Sequence, residues 1–235
     1  ALVMLFVPLL KNNPASTKKE IEISLLKVLG NAFKDPNFSM IFLGFFACGY
    51  QLAFVSAHFP AMITEMCSAI SPTSLLNYLS VSNTSSLGAF AIALIGFSNI
   101  FGTIYAGWLG QRFQKKYLLA GVYALRTLIG LLFIIFPITP LSVVLFSVFM
   151  GSLWLATVPL TSGLIAHIYG LRYMGTLYGL VFFSHQLGSF LGVWMGGRLY
   201  DATGDYNLVW WIGIGVSAFS TLIHLPIKEK KLQTV

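Results

Sequence analysis

The 235-residue chain is 57% hydrophobic and 9% charged, with a mean hydropathy of +0.81, a composition that cannot keep its surface in water and makes lipid its solvent. Hydrocarbon offers no partners to the backbone, so only helices of about 20 apolar residues or closed barrels can span it. The apolar runs are of helix length and lack strand alternation, and the net charge of +7 is dispersed among connectors rather than gathered on one face, which excludes a nucleic-acid partner.

In chain order, residues 1–10 are too short to span and have no basic stretch ahead of them, so they read as the end of a preceding transmembrane helix and not as a signal peptide. Residues 11–35 are the one long polar stretch, a central loop. Within it Ile21, Leu25, Leu26, Val28 and Leu29 recur at helical spacing, which fits either a short amphipathic helix lying at the membrane interface or a flexible tether. An all-α membrane bundle follows over residues 36–227, with six spans near 36–59, 87–109, 117–136, 140–164, 174–199 and 208–225, and residues 228–235 form a tail.

The connectors alternate in charge. Lys11, Lys18, Lys19, Lys27 and Lys34, then Arg112, Lys115 and Lys116, then Arg172, then Lys228, Lys230 and Lys231 fall on one side. The other side has the Lys- and Arg-free loop 63–86, the turn 137–140, and the turn 200–207 with Asp201 and Asp205; Arg198 alone leans that way. Cytoplasmic loops retain Lys and Arg, so both ends of this chain are expected to be cytoplasmic in a multi-pass plasma membrane protein, the inner membrane if the cell is bacterial.

No nucleophile elbow, phosphate loop, paired carboxylate or metal-ligand spacing is present. Neither an enzyme activity nor a cofactor is expected. Cys48 lies inside the first span and Cys67 in the following loop, a separation that disfavours a disulfide between them.

Two motifs carry a family resemblance. After the second span comes Gly107-Trp108-Leu109-Gly110-Gln111-Arg112-Phe113-Gln114-Lys115-Lys116, which resembles the major facilitator superfamily signature loop G-x-L-x-D-R-x-G-R-R in its C-terminal copy. The fifth span ends in Gly196-Gly197-Arg198-Leu199-Tyr200-Asp201-Ala202-Thr203-Gly204-Asp205-Tyr206, similar to the G-G-x-L-x-D-x-T-G-x-Y ending of monocarboxylate-porter-like members, bacterial ones included. The resemblance implies that the chain is one half, helices seven to twelve, of a twelve-helix transporter whose N-terminal six-helix half is its partner. Gly107, Arg112, Lys115 and Lys116 then belong to the gating loop. Two departures stand out: Gln111 replaces the loop's acidic residue and Gln114 its glycine. Asn99 stands roughly where carboxylate porters often carry an arginine in the eighth helix.

Polar groups inside a membrane are costly enough that each is a functional hypothesis. Arg126 lies mid-span with no Asp or Glu in any of the six cores, so its partner is backbone, a polar side chain, the other half or an anion. The resemblance puts it in the ninth helix, outside the cavity wall, which suits a structural role; a substrate or coupling role is the other reading. His185 and Gln186 sit mid-span in a helix that the resemblance makes the cavity-lining eleventh. They are either a titratable substrate-binding pair or groups bonding across a packed helix pair. Gly188, Gly192 and Gly196 on the same helix permit close approach of a neighbour. Gln51 and His58, seven residues apart, face one direction, with His58 near the end of its helix as gate or interface residue. Asn99 reads as a cavity or interhelix amide, and Trp154, followed by Thr157, Pro159 and Thr161, as an aromatic platform on a kinked helix or as packing.

The function implied is secondary active transport of a small polar or anionic solute, a monocarboxylate among the candidates, by alternating access with proton coupling. Export of hydrophobic compounds or drugs, and a non-transporting receptor or truncated half, are the alternatives.

Overall fold

The computed structural model describes residues 25–230. The expected end of a preceding helix at 1–10 and most of the polar stretch 11–24 lie outside the described residues. The last part of that stretch is helical: α1 (Leu25–Lys34) runs into α2 (Pro36–Met66). Asp35 separates them, accepting from Asn37 N at 2.9 Å, with Pro36 at the first helical position where a missing N–H costs nothing.

The remaining helices are α3 (Thr84–Arg112), α4 (Lys115–Ile135), α5 (Pro140–Leu153), α6 (Thr157–Tyr169), α7 (Met174–Thr203) and α8 (Asn207–His224). Reciprocal side-chain caps start two of them, Asn83 with Ser86 for α3 and Thr139 with Ser142 for α5. Gly170 and Gly204, both at positive φ, end α6 and α7. Several helices outrun the spans read from the sequence, most of all α2, which continues past Phe59 to Met66.

Among the described residues, five segments are long and apolar enough to cross a bilayer: α2, α3, α4, α8 and Pro140–Tyr169, which is α5 and α6 together. The sixth, α7, has the length, 30 residues. It falls short in apolarity because Ser184, His185, Gln186, Ser189 and a run of glycines interrupt it. This is a multi-pass integral membrane protein.

The break between α5 and α6 has a covalent cause. Pro159 has no N–H for the carbonyl of Leu155, and its ring crowds that carbonyl. The helix comes apart one turn earlier, at Trp154, Leu155 and Ala156.

The bundle's interior divides into two apolar clusters. One, towards the basic connectors, gathers Phe38, Phe45, Leu119, Leu160, Leu164 and Val181. The other gathers Phe59, Phe133, Phe146, Met150 and Trp210, whose rings pack edge-on or tilted at 4.5–6.1 Å. Between them lies a polar layer built on α2, α4 and the α5–α6 break.

The main seams are α2 against α7, α3 against α5, and α4 against α8. In the first, the glycine spacing on α7 does what its sequence suggests: a Cβ at Gly188 or Gly192 would fall on the backbone of Phe46 or Tyr50. Gly49 on α2 reciprocates against the carbonyl of His185.

Candidate functional site

The polar layer begins at the helix break. Opening a helix inside hydrocarbon strands backbone groups that something must satisfy. Arg126, with no exposed surface, donates through Nη2 to the carbonyl of Leu153 at 2.6 Å and to that of Trp154. Asn99 serves the opposite polarity, its Oδ1 accepting from the N–H of Leu155 at 2.9 Å while Thr103 Oγ1 donates to it at 3.0 Å. One break is clasped from α4 by a donor and from α3 by an acceptor.

Arg126 also reaches side chains, among them Tyr123, whose ring centroid lies 5.5 Å from the guanidinium. Its Nη1 lies 3.5 Å from Cys48 Sγ on α2, and Cys48 in turn contacts Thr157 Oγ1 at 3.2 Å. The same thiol interacts with the His185 imidazole across the α2–α7 seam. His185 Nδ1 meets Gln186 Oε1 at 3.2 Å and Ser189 Oγ at 3.5 Å, and its ring stacks on Phe182 with centroids 5.4 Å apart. His185 is buried and Gln186 is exposed. A succession of polar groups therefore extends from an exposed amide on α7 through imidazole, thiol and guanidinium to the break.

Gln51 enters the layer beside Arg126. Its Nε2 donates to the carbonyl of Gly213 on α8 at 3.1 Å, while its Oε1 and the Nε of Arg126 are buried without partners. Both residues, with Trp154 and Trp210, line a cavity of about 20 Å³. That is room for one water-sized group.

The structure thus brings together Gln51, Asn99, Arg126, Trp154, His185 and Gln186. It sets His58 apart, with Nε2 3.0 Å from the carbonyl of Val193 and the ring among Phe54 and Tyr206, wedged against Gly196. Cys48, weighed in the sequence only as a disulfide partner, and Thr157, named there only as part of the kinked helix, are members of the layer. A lone cysteine carries no spacing signal, although its position three residues before Gln51 on one helix face was available. His224 is a further omission: buried on α8, it bonds the carbonyl of Ser220 at 2.7 Å and stacks on Tyr123 at 5.1 Å.

The signature-like loop occupies the basic end. Arg112 stacks over Trp108 at 4.1 Å, and a Cβ on Gly107 would meet open space. Gln111 cannot supply a carboxylate, and Glu229 from the chain's last described turn does so instead. It pairs with Lys115 at 3.6 Å and accepts from the N–H of Lys116 at 3.2 Å, where an anion complements the N-terminus of α4. Buried Ile227 and the bond from Lys228 N to Asn37 Oδ1 at 2.8 Å fasten the same strap to the start of α2.

Comparison with known proteins gives this geometry a family. The model of the Major Facilitator Superfamily (MFS) matches residues 1–193 and 66–234. The chain is 26% identical over 203 residues to the MFS-type transporter YcxA of Bacillus subtilis (strain 168), covering 83% of this chain and 46% of that protein. It is 32% identical over 137 residues to monocarboxylate transporter 12 of Xenopus laevis, covering 55% of this chain and 29% of the relative. The chain thus spans about half the length of these curated relatives or less. Among solved structures, the MFS transporter FucP in its outward conformation superposes with a TM-score of 0.72 at 16% identity, over 97% of this chain and 52% of that one. An E. coli fucose:proton symporter structure of FucP gives a TM-score of 0.66 at 15% identity, over 88% and 46%. Six membrane-length segments, one of them broken at a proline and clasped by polar side chains, belong to a member of the Major Facilitator Superfamily.

Proposed function

We propose that this chain is helices seven to twelve of a secondary active transporter that moves a small polar or anionic solute, with a monocarboxylate the leading class, by alternating access coupled to protons. The observation that carries this reading is the polar path from Gln186 and His185 through Cys48 to Arg126 and the α5–α6 break. It joins a titratable imidazole to a cation that holds a helix hinge. A proton on His185 adds a second positive charge to the layer in which the guanidinium caps the carbonyls of the break. The relative named a monocarboxylate transporter supports the solute class, and the unpartnered Gln51 Oε1 and Arg126 Nε offer a solute one acceptor and one donor. At about 20 Å³ the cavity is closed to such a solute in this conformation, so entry requires the hinge to open.

The companion proposals follow from the charge map. The six-helix N-terminal half faces this one across the solute path, the basic end with Arg112, Lys115 and Lys116 is cytoplasmic, and the membrane is the plasma membrane. A second reading, export of hydrophobic compounds, is favoured by the exposed aromatic face of Phe182, Phe183 and Phe190 around Gln186.

The test is uptake of small monocarboxylates by the full-length protein in proteoliposomes, with and without an imposed pH gradient. Gradient-driven uptake that loses its pH dependence in His185→Ala supports the reading. Uptake absent at every pH for polar and anionic solutes, with hydrophobic dyes extruded instead, overturns it in favour of the second.

A further inference from the structure

A lateral groove of about 300 Å³ opens between α3, α4 and the α5–α6 pair. Tyr105 and Leu109 wall it from α3, Tyr117 and Leu125 from α4, and Leu153 and Leu160 from the broken helix. Tyr105, Tyr117 and Leu125 are each at least half exposed, so the groove faces outward rather than into the bundle. Its depth depends on glycine: a Cβ at Gly121 meets nothing within 4 Å, and a larger side chain there would occupy the space.

The walls are apolar, and the one hydroxyl among the α5–α6 residues lining it, that of Ser152, is already bonded to the carbonyl of Val148 at 2.8 Å. The mouth is cationic. One turn beyond Leu109 stands Arg112, held 4.1 Å over the Trp108 ring, and next to Tyr117 stands Lys116, 4.6 Å over the Tyr117 ring. Trp108 is stacked on Tyr105 at 5.6 Å, which ties the cationic mouth to the wall of the groove. Neither cation has a carboxylate within ion-pair distance among the described residues, since Glu229 is engaged by Lys115. An apolar slot of acyl-chain character that ends in two cations beside Trp and Tyr matches an amphiphile with an anionic head and a hydrocarbon tail.

We infer that this groove binds an anionic phospholipid, one acyl chain lying along Leu125, Tyr105 and Leu109 and the phosphate held between Arg112 and Lys116. The inner end of the groove is Leu153 and Ala156, the edge of the helix break, so the bound chain lies against the hinge.

The experiment places the full-length protein in nanodiscs of phosphatidylcholine carrying brominated phosphatidylglycerol or brominated phosphatidylcholine and reads quenching of Trp108, isolated by subtracting Trp108→Phe. Preferential quenching by the brominated phosphatidylglycerol is expected. Arg112→Gln and Lys116→Gln should each reduce that preference roughly fivefold, the effect of one basic group near an anionic lipid surface. Gly121→Leu keeps both charges and fills the slot, and it should lower quenching by either brominated lipid. Soluble glycerol phosphate should not relieve quenching. Equal quenching by the two lipids, an undiminished preference in either charge variant, or relief by glycerol phosphate would each overturn the assignment. Because the readout is lipid contact, its failure is distinct from failure of the transport reading.

Discussion

Arg126 and His185 are two buried basic residues of the polar layer, and Cys48 lies between them, yet the fold treats them differently. Arg126 has no exposed surface and donates two bonds to stranded backbone carbonyls and one to a thiol. His185 bonds side chains on its own helix, Gln186 and Ser189, and its neighbours Gln186 and Phe182 are exposed. Removing the first leaves buried acceptors unsatisfied. Removing the second leaves groups that water or a solute can reach. A buried cation can thus be a backbone cap, and the residue free to respond to protons is the one whose partners are replaceable.

The largest expected effect follows from Arg126. Arg126→Met conserves most of the volume and abandons the carbonyls of Leu153 and Trp154, each costing about 1–3 kcal/mol when left buried and unpaired. The thermal midpoint in detergent should fall steeply, and Arg126→Lys should restore it poorly because an ammonium lacks the planar fork that spans two carbonyls and a thiol. A variant as stable as the parent but inactive in uptake would reverse the comparison, making Arg126 a solute ligand. Asn99→Leu tests the other side of the same clasp. It strands the single N–H of Leu155, so a loss of about 1–3 kcal/mol is expected, smaller than for Arg126 by the difference between one group and two.

How much of this was legible depends on the interaction that decides each feature. The glycine seam at Gly188, Gly192 and Gly196 was readable because it is a periodicity. The kink was readable from Pro159, though the residue that opens is Leu155, four positions earlier, where the ring and the missing N–H act. Arg126, Asn99, His185 and Gln186 were visible as polar groups in apolar runs, but not their partners, because backbone carbonyls freed by a break have no letter in the sequence. Cys48 was read only as a disulfide partner for the same reason: its role is set by what α4, α6 and α7 bring to it. Glu229 could not be paired with Lys115 from spacing, since 113 positions separate it from Lys116, whose N–H it accepts.

His185→Ala sharpens the comparison from the other side. It loses side-chain bonds near an exposed amide, so stability should change by roughly 1 kcal/mol, while the pH profile of uptake flattens. A stability loss as large as that of Arg126→Met would show that the imidazole too is structural and would remove the distinction between the two cations.

The smallest effect is read at the cysteines, and it checks the connection itself. Both are free thiols. Cys67, half-buried just past the end of α2, has its thiol pushed up by burial, because a low-dielectric site disfavours the charged thiolate that reacts. Maleimide should therefore label it slowly near neutral pH and faster as alkali ionises it, lagging a fully exposed thiol throughout. Cys48, with no exposed surface, should stay unlabelled until the protein unfolds. Labelling of Cys48 in the folded protein would mean that the junction between Arg126 and His185 lies open to solvent. The guanidinium would then be reachable by water or solute, and the contrast between a consumed cation and an available one would fail at the atom that joins them.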